Sequence, residues 1–145
     1  MRYLLIICLL FSLNAKGQYY VMAAPNVAFD TPLKDTKNLF GGTIEVGRYI
    51  GQTALGINSG WWTFDSKDFY QEIMVTFPIY LNFSVSAAIG YMYHHKDITM
   101  EYDINYTIPL NKKYAFVLSY SEQSALGSTV SAYSIGINKD FNFKK

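Results

Sequence analysis

The 145-residue chain has little charge for its length and a single cysteine. Charged residues make up 16% of it, against about 25% in a typical soluble domain. The formal net charge is only +1. This excludes the basic surface of a nucleic-acid-binding protein and the acidic tail that would attract a cationic partner. Because a soluble domain needs charged side chains to wet its surface, the shortage predicts that much of the outside does not face water.

No apolar run is long enough to cross a membrane as a helix. The longest, Leu4–Leu13, is about half of the ~20 residues that a transmembrane helix needs. It follows Arg2 and precedes a polar exit with small residues at Ala15 and Gly17. This pattern is typical of a secretory signal peptide. The sequence therefore predicts a signal peptide over residues 1–17 and a mature domain over residues 18–145 that begins at Gln18.

The single cysteine, Cys8, lies inside that apolar run and follows Ile7. A lipoprotein would need a small residue before its lipidated cysteine, so Cys8 is expected to leave with the signal peptide. The mature chain then has no disulfide, thiolate metal site or cysteine nucleophile. Phosphate-binding loops, dinucleotide-binding glycine patterns, metalloprotease histidine pairs and nucleophile elbows are absent as well. No catalytic residue, cofactor or bound metal is predicted.

The mature chain is instead rich in aromatic residues and in alternating polarity. Between Thr99 and Ile108, tyrosine, methionine and isoleucine alternate strictly with threonine, acids and asparagine. Successive side chains change sides only in an extended chain, so this pattern predicts a strand. Six segments alternate in this way: 40–47, 69–77, 84–93, 99–108, 114–120 and 132–143. Less regular strands fit 19–29 and 53–62, which makes eight.

The connections between these segments alternate in length. Three are short (Ile50–Gln52, Pro78–Asn82 and Pro109–Lys113), and four are longer and more charged (Asp30–Leu39, Thr63–Asp68, His95–Ile98 and Glu122–Ser128). Outer-membrane barrels have this layout, with short turns toward the periplasm and long loops outside. The sequence predicts an all-β fold, an eight-stranded antiparallel up-and-down transmembrane barrel.

The composition of the two strand faces indicates which one meets lipid. One face is apolar and aromatic, whereas the other is mostly Ala, Gly, Ser, Thr and Asn with a few acids. A secreted soluble lipocalin-like binder, the alternative, would carry Lys and Glu on its polar face. Aromatic residues are expected to form girdles at the two membrane interfaces. They are Trp61, Trp62, Tyr91, Tyr93 and Tyr120 toward the loops, and Tyr49, Phe77, Tyr80, Phe83 and Tyr114 toward the turns.

From Gln18 to Phe143 the chain resembles the small OmpA/OmpX-type barrels, especially compact outer-membrane barrels of Bacteroidetes. The resemblance rests on the architecture and on the Phe77–Leu81 segment, read as a turn. It implies a non-enzymatic protein of the Gram-negative outer membrane, in contact with lipid and lipopolysaccharide, whose loops meet an unidentified envelope or surface partner. Insertion by the barrel-assembly machinery is also implied: Phe141 and Phe143 resemble its closing-strand signal, although Lys144 and Lys145 follow them.

Two groups of residues are candidate sites. The first is a set of acids on the inward face, with no Lys or Arg of the same parity: Glu45, Glu72, Glu101 and Asp103. Enclosed carboxylates must take up protons, bind a cation or stay hydrated. Tyr49, Tyr70, Asn58 and Asn105 are the expected donors to them, while Arg48 has the opposite parity. A cation-preferring channel or a ligand-holding barrel is the alternative function for this lumen.

The second group is the His94–His95 pair at the outer end of the fifth strand. With Ser121, Glu122 and Ser124 on the next outer loop, it would suit a lipid A-modifying barrel enzyme. Lipid A deacylases, however, carry a His-x-Ser pair on one strand, and here Lys96 and Asp97 follow the histidines. A solvated loop is the favoured interpretation, and metal binding at the pair and the enzyme remain alternatives.

Overall fold

A computed structural model describes residues 18–29, 39–63, 67–93, 96–125 and 128–142. The predicted signal peptide, the His94–His95 pair and Phe143–Lys145 lie outside these ranges. All the described elements are strands or short turns, and no helix among them is long and apolar enough to span a bilayer. The strands are β1 (Gln18–Phe29), β2 (Leu39–Ile50), β3 (Thr53–Thr63), β4 (Lys67–Tyr80), β5 (Phe83–Met92), β6 (Asp97–Pro109), β7 (Tyr114–Ala125) and β8 (Ser128–Asn142).

The eight strands form one closed antiparallel barrel in chain order, as predicted. Each strand pairs with the next, and β1 closes the barrel by pairing with β8, so that Tyr19 lies between Arg48 and Phe141. Closure leaves no edge strand with unpaired backbone groups. Both chain termini of the barrel and the three short turns lie at one end, called the turn end below; the opposite end is the loop end.

The turns are tighter than expected at two places. β2 and β3 are joined by Gly51 and Gln52 alone, with Gly51 at a φ of +65°, a left-handed conformation that suits glycine. Pro78 was expected to begin the next turn, but β4 continues through it to Tyr80, and the turn is Leu81–Asn82. A register shift between Pro78 and Tyr80 marks a bulge. A bulge accommodates proline because the ladder is already interrupted there.

The last outer connection was also predicted too long. Glu122 and Ser124 belong to β7, which runs to Ala125, and β8 begins at Ser128. The polar residues assigned to a loop are paired across the strands: Glu122 lies opposite Ser131, and the hydroxyls of Ser124 and Thr129 are 3.2 Å apart. Cross-strand hydroxyl pairs stabilise a sheet. The polar residues of this segment are therefore compatible with a strand, and their polarity did not show that it is a loop.

Candidate functional site

The two faces of the barrel wall differ in the way the alternation predicts. On β6, Ile104 is 54% exposed on the outside, whereas its neighbours Asp103 and Asn105 are each 8% exposed. Aromatic residues on the outside contact one another near the barrel ends. The ring centroids of Phe69 and Tyr93 lie 5.6 Å apart at the loop end, and those of Phe83 and Tyr106 lie 4.7 Å apart at the turn end. Apolar side chains therefore dominate the outer surface, and the acids Glu45, Glu72, Glu101 and Asp103 are enclosed.

Large side chains fill the lumen at the loop end. Trp62 and Tyr70 are almost completely buried, and they form one cluster with Ala28, Met92, Val130 and Ala132. We call this cluster the loop-end plug. The placement of Trp62 in the aromatic girdle was wrong. Trp61 and Trp62 are successive strand residues, so only one of them can face outward, and that one is Trp61, which is 42% exposed.

Below the plug, the four predicted acids all lie inside the barrel, each less than 10% exposed. Glu72 accepts a hydrogen bond from Gln123 Nε2 at 2.9 Å and a long one from Asn58 Nδ2 at 3.5 Å. The same Asn58 nitrogen lies 3.4 Å from a carboxyl oxygen of Glu101. Glu101 in turn lies within hydrogen-bonding reach of both Glu72 and Asp103. The acids of β4 and β6 thus form one connected group across the lumen.

The donors to these acids are mostly not the expected ones. Of the four expected donors, only Asn58 forms hydrogen bonds with the connected acids Glu72 and Glu101. Asn105 donates to Ser86 at 2.9 Å, and the Tyr70 hydroxyl donates to none of the acids. Tyr49, also placed in the girdle by the sequence, faces inward, where its hydroxyl lies 3.4 Å from Asp140.

Three inward residues escaped the sequence analysis. Tyr20 donates to Glu45. Gln123 joins the acids to the plug, because it accepts from Trp62 Nε1 at 2.8 Å while it donates to Glu72. Asp140, near the turn end, accepts from Asn138 at 3.2 Å. Gln123 and Asp140 continue the inward parity of β7 and β8, so extending the alternation to the strand ends would have found both.

No lysine or arginine among the described residues lines the interior cavity. The guanidinium of Arg48 lies 5.8 Å from the centre of the Tyr19 ring, and the Lys139 ammonium lies over Tyr114 and Phe141 at 5.3 and 5.0 Å. These cations stack on aromatic rings near the turn end, an arrangement that stabilises them beside an apolar surface. In the described part of the chain, no three His, Cys, Asp or Glu side chains are arranged to hold a metal ion.

Toward the turn end the lumen is hollow. A cavity of about 190 Å³ extends there from the acids, with Glu45, Glu101 and Asp103 in its wall. Most of its other lining side chains are serine, threonine and asparagine. A second, more open depression at the turn end shares Tyr49, Gln52 and Pro78 with it. The cavity therefore leads toward the turn end, whereas the plug closes the other side.

The residues considered for an outer enzymatic site do not converge within the described part of the chain. His94 and His95 lie outside it. Ser121 faces the lumen, where it lines the cavity, while Glu122 and Ser124 are exposed on the outer face. Glu122 accepts a hydrogen bond from the Tyr120 hydroxyl at 2.8 Å. Successive residues of one strand point to opposite faces, so Ser121 and Glu122 cannot serve one site.

No protein-family model and no curated protein matches the chain in sequence. Solved structures do match in fold. Neisserial surface protein A superposes with a TM-score of 0.63 at 10% identity, over 86% of this chain and 97% of that one. Ail of Yersinia pestis gives 0.54 at 11% identity, over 88% and 100%. The N-terminal barrel domain of Pseudomonas aeruginosa OprF gives 0.53 at 13%, over 84% and 98%.

The chain has the fold of small outer-membrane β-barrels. A designed transmembrane barrel matches as well, with a TM-score of 0.58 at 12% identity, over 88% of this chain and 98% of that one. A designed protein shares the architecture without sharing ancestry. At identities this low the likeness concerns the fold alone, and function has to be argued from the surfaces and the lumen.

Proposed function

We propose that the chain is an integral protein of the bacterial outer membrane, without enzymatic activity, that acts structurally or through contacts at its loop end. One observation carries the proposal: large apolar side chains are exposed on every side of a closed barrel. They include Phe40, Ile44, Ile73, Ile89, Ile104, Phe116, Ile135 and Ile137. So large an apolar surface would cause a soluble protein to aggregate, whereas hydrocarbon accommodates it.

The distribution of charge argues against the soluble lipocalin-like alternative. A soluble barrel that holds an apolar ligand has an apolar interior and a charged exterior. Here the interior holds Glu45, Glu72, Glu101 and Asp103. On the outer face the cation Lys139 lies near the turn end, beside the rings of Tyr114 and Phe141, where a membrane interface would be.

The experiment is membrane fractionation with a folding assay. The mature protein is expected in the outer-membrane fraction, soluble only with detergent, and to migrate differently on a gel before and after heating. Heat-modifiable migration reports the closed barrel independently of location. A folded protein that stays in solution without detergent would contradict the proposal and restore the soluble alternative.

The finer parts of the proposal concern biogenesis and contacts. We propose cleavage of residues 1–17, insertion by the barrel-assembly machinery, and contact with lipid and lipopolysaccharide, as in barrels of the OmpA/OmpX and Bacteroidetes type. Mass spectrometry of the purified protein is expected to find Gln18 at the N-terminus, cyclised or free. A retained Met1–Gly17 segment, or a lipid on Cys8, would contradict the processing step.

The other functions considered have less support. A conducting channel needs a passage through both ends, and the buried Trp62, Tyr70 and Met92 occupy the loop end. For an enzyme, Ser121 and Glu122 are on opposite faces of β7. Conductance in planar bilayers and the effect of replacing His94 and His95 on lipid A composition test these alternatives. We expect no conductance and no change in lipid A.

A further inference from the structure

Charged side chains outside the lumen are distributed unevenly between the two barrel ends. At the turn end, three lysines lie outside the lumen, which we call the turn-end lysine patch: Lys112, Lys113 and Lys139. The described acids lie in the lumen or toward the loop end, apart from Asp140: Glu45, Glu72, Glu101, Asp103, Asp68, Asp97 and Glu122. Asp140 faces inward, where Tyr49 and Asn138 donate to it. The outer surface at the turn end is therefore positively charged.

The turn between β6 and β7 holds two of these lysines beside the third. The side-chain oxygen of Asn111 accepts from the backbone nitrogens of Lys113 at 2.8 Å and Tyr114 at 3.1 Å, which fixes the turn. The carbonyl oxygen of Lys113 accepts from the backbone nitrogen of Asp140 at 2.8 Å. This bond joins the turn to β8 at the residue that follows Lys139. The three lysines therefore share one corner of the barrel, between β7 and β8.

Lys139 lies on the outer wall, where apolar side chains surround it. Its ammonium group is 5.3 Å from the ring centre of Tyr114 and 5.0 Å from that of Phe141. The next outward residues of β8 toward the loop end are Ile137 and Ile135, which are 51% and 61% exposed. None of the three lysines lines the cavity or the turn-end depression. A ligand therefore reaches Lys139 from outside the barrel and meets exposed isoleucines next to it.

These surroundings favour an amphiphilic anion over a soluble one. A soluble anion would gain only an exposed charge pair, which contributes little in water. A phospholipid can place its phosphate at the ammonium groups and its acyl chains along Ile137 and Ile135. The phosphate oxygens accept charge-assisted hydrogen bonds from ammonium groups, and lysines at a membrane surface attract anionic lipids.

We propose that the turn-end lysine patch binds the phosphate of an anionic phospholipid whose acyl chains lie along the outer face of β8. In outer-membrane barrels the turn end faces the periplasm, so the lipid belongs to the periplasmic leaflet. The inference rests on the proposed function, because the patch must lie at a membrane interface. The two can fail separately, since fractionation tests insertion, whereas lipid selectivity is measured on the folded barrel.

The test uses the folded mature protein in uncharged maltoside micelles, titrated with dimyristoyl phosphatidylglycerol. Dimyristoyl phosphatidylcholine is the matched probe, because it has the same acyl chains and a phosphate whose charge its choline group cancels. NMR of the backbone amides around Lys113 and Lys139 is expected to show saturable shifts with phosphatidylglycerol, and binding of phosphatidylcholine should be at least about fivefold weaker. Equal binding of both lipids, or no saturable binding, would overturn the proposal. If inorganic phosphate reproduced the shifts, the patch would bind a soluble anion and the lipid would be excluded.

Variants locate the site. Lys139→Gln and, independently, Lys113→Gln remove one charge each, and each is expected to weaken phosphatidylglycerol binding about fivefold. Lys96→Gln is the matched control, because Lys96 is an exposed lysine at the loop end; its binding should not change. Heat-modifiable migration verifies that each variant is folded, and Lys113 lies in an exposed turn where the change perturbs no strand. An equal loss in Lys96→Gln, or no loss in a folded patch variant, would place lipid binding elsewhere and contradict the site.

Discussion

The two ends of the lumen are built by the same eight strands with the same alternation, yet one is solid and the other hollow. At the loop end, Trp62, Tyr70 and Met92 face inward; at the turn end, Ser84, Thr107 and Asn138 do. An eight-stranded barrel has an interior just wide enough for side chains to fill it. The backbone of the barrel is the same at both ends. The volume of the inward side chains therefore decides where a cavity remains.

Glycine makes room for the large rings on both sides of this boundary. A Cβ atom on Gly60 would collide with the ring and hydroxyl of Tyr70, and one on Gly47 would collide with Tyr20. Both glycines face inward, and each lies directly opposite its tyrosine on the neighbouring strand. The absence of a side chain lets each tyrosine lie across the wall. Tyr20 can then reach Glu45 without filling the cavity.

The largest expected effect comes from removing the plug. Trp62→Ala should lower the free energy of unfolding by about 3–5 kcal/mol, because it leaves a large cavity and removes the hydrogen bond from Trp62 Nε1 to Gln123. Trp61→Ala is the matched control, with the same change on the outer face. It should cost much less, since Trp61 is 42% exposed. Urea unfolding in lipid vesicles measures both, and a larger cost for Trp61→Ala would show that the plug does not stabilise the barrel.

A charge on the outer wall should have the next largest effect. Ile104→Arg is expected to cost about 2–4 kcal/mol near the bilayer midplane and to impair insertion. Ser119→Arg is expected to cost less, because Ser119 lines the acidic cavity and lies on the strand next to Asp103. The yield of heat-modifiable protein and urea unfolding compare the two. If Ser119→Arg were the more harmful, the assignment of the outer face to lipid would be wrong.

Sequence reasoning predicted the barrel well because strand alternation is local and strict. The period of two predicts the eight strands, the alternation of short and long connections predicts their up-and-down order, and the parity placed Ile104 outside and Asp103 inside. Its errors have a common cause. Strand ends and side-chain faces were inferred from polarity and residue type, whereas the pairing and pleat of the strands determine them. Pro78 lies within a bulged strand, Glu122 and Ser124 pair across strands, and Trp62 faces inward because Trp61 does not.

The candidate site was less predictable than the fold. The parity of each strand can be read from its own sequence, but the height of a residue in the lumen depends on the register between strands. Glu72 and Gln123 come together across the barrel although 51 positions separate them. The plug at one end and the cavity at the other likewise depend on which inward residues lie at the same height in the lumen. The sequence of a single strand does not contain that information.

The smallest expected effect concerns the acids on the cavity side. Replacing both Glu101 and Asp103 with their amides should leave the free energy of unfolding unchanged within about 1 kcal/mol, or raise it, because the change removes enclosed charge without a basic partner. Amide groups can still form hydrogen bonds with Glu72 and Asn58.

Glu72→Gln is the comparison variant on the plug side. One carboxyl oxygen of Glu72 accepts from Gln123, which also holds Trp62, and the other accepts from Asn58. The amide nitrogen of a glutamine at this position would therefore face a donor in either orientation. We expect Glu72→Gln to be less stable than the double variant by about 1–3 kcal/mol. Urea unfolding of the three proteins in one lipid composition decides the matter. If the double variant unfolded at much lower urea than the parent, Glu101 and Asp103 would have cationic partners in the folded protein, and the inference that they have no basic partner would be wrong.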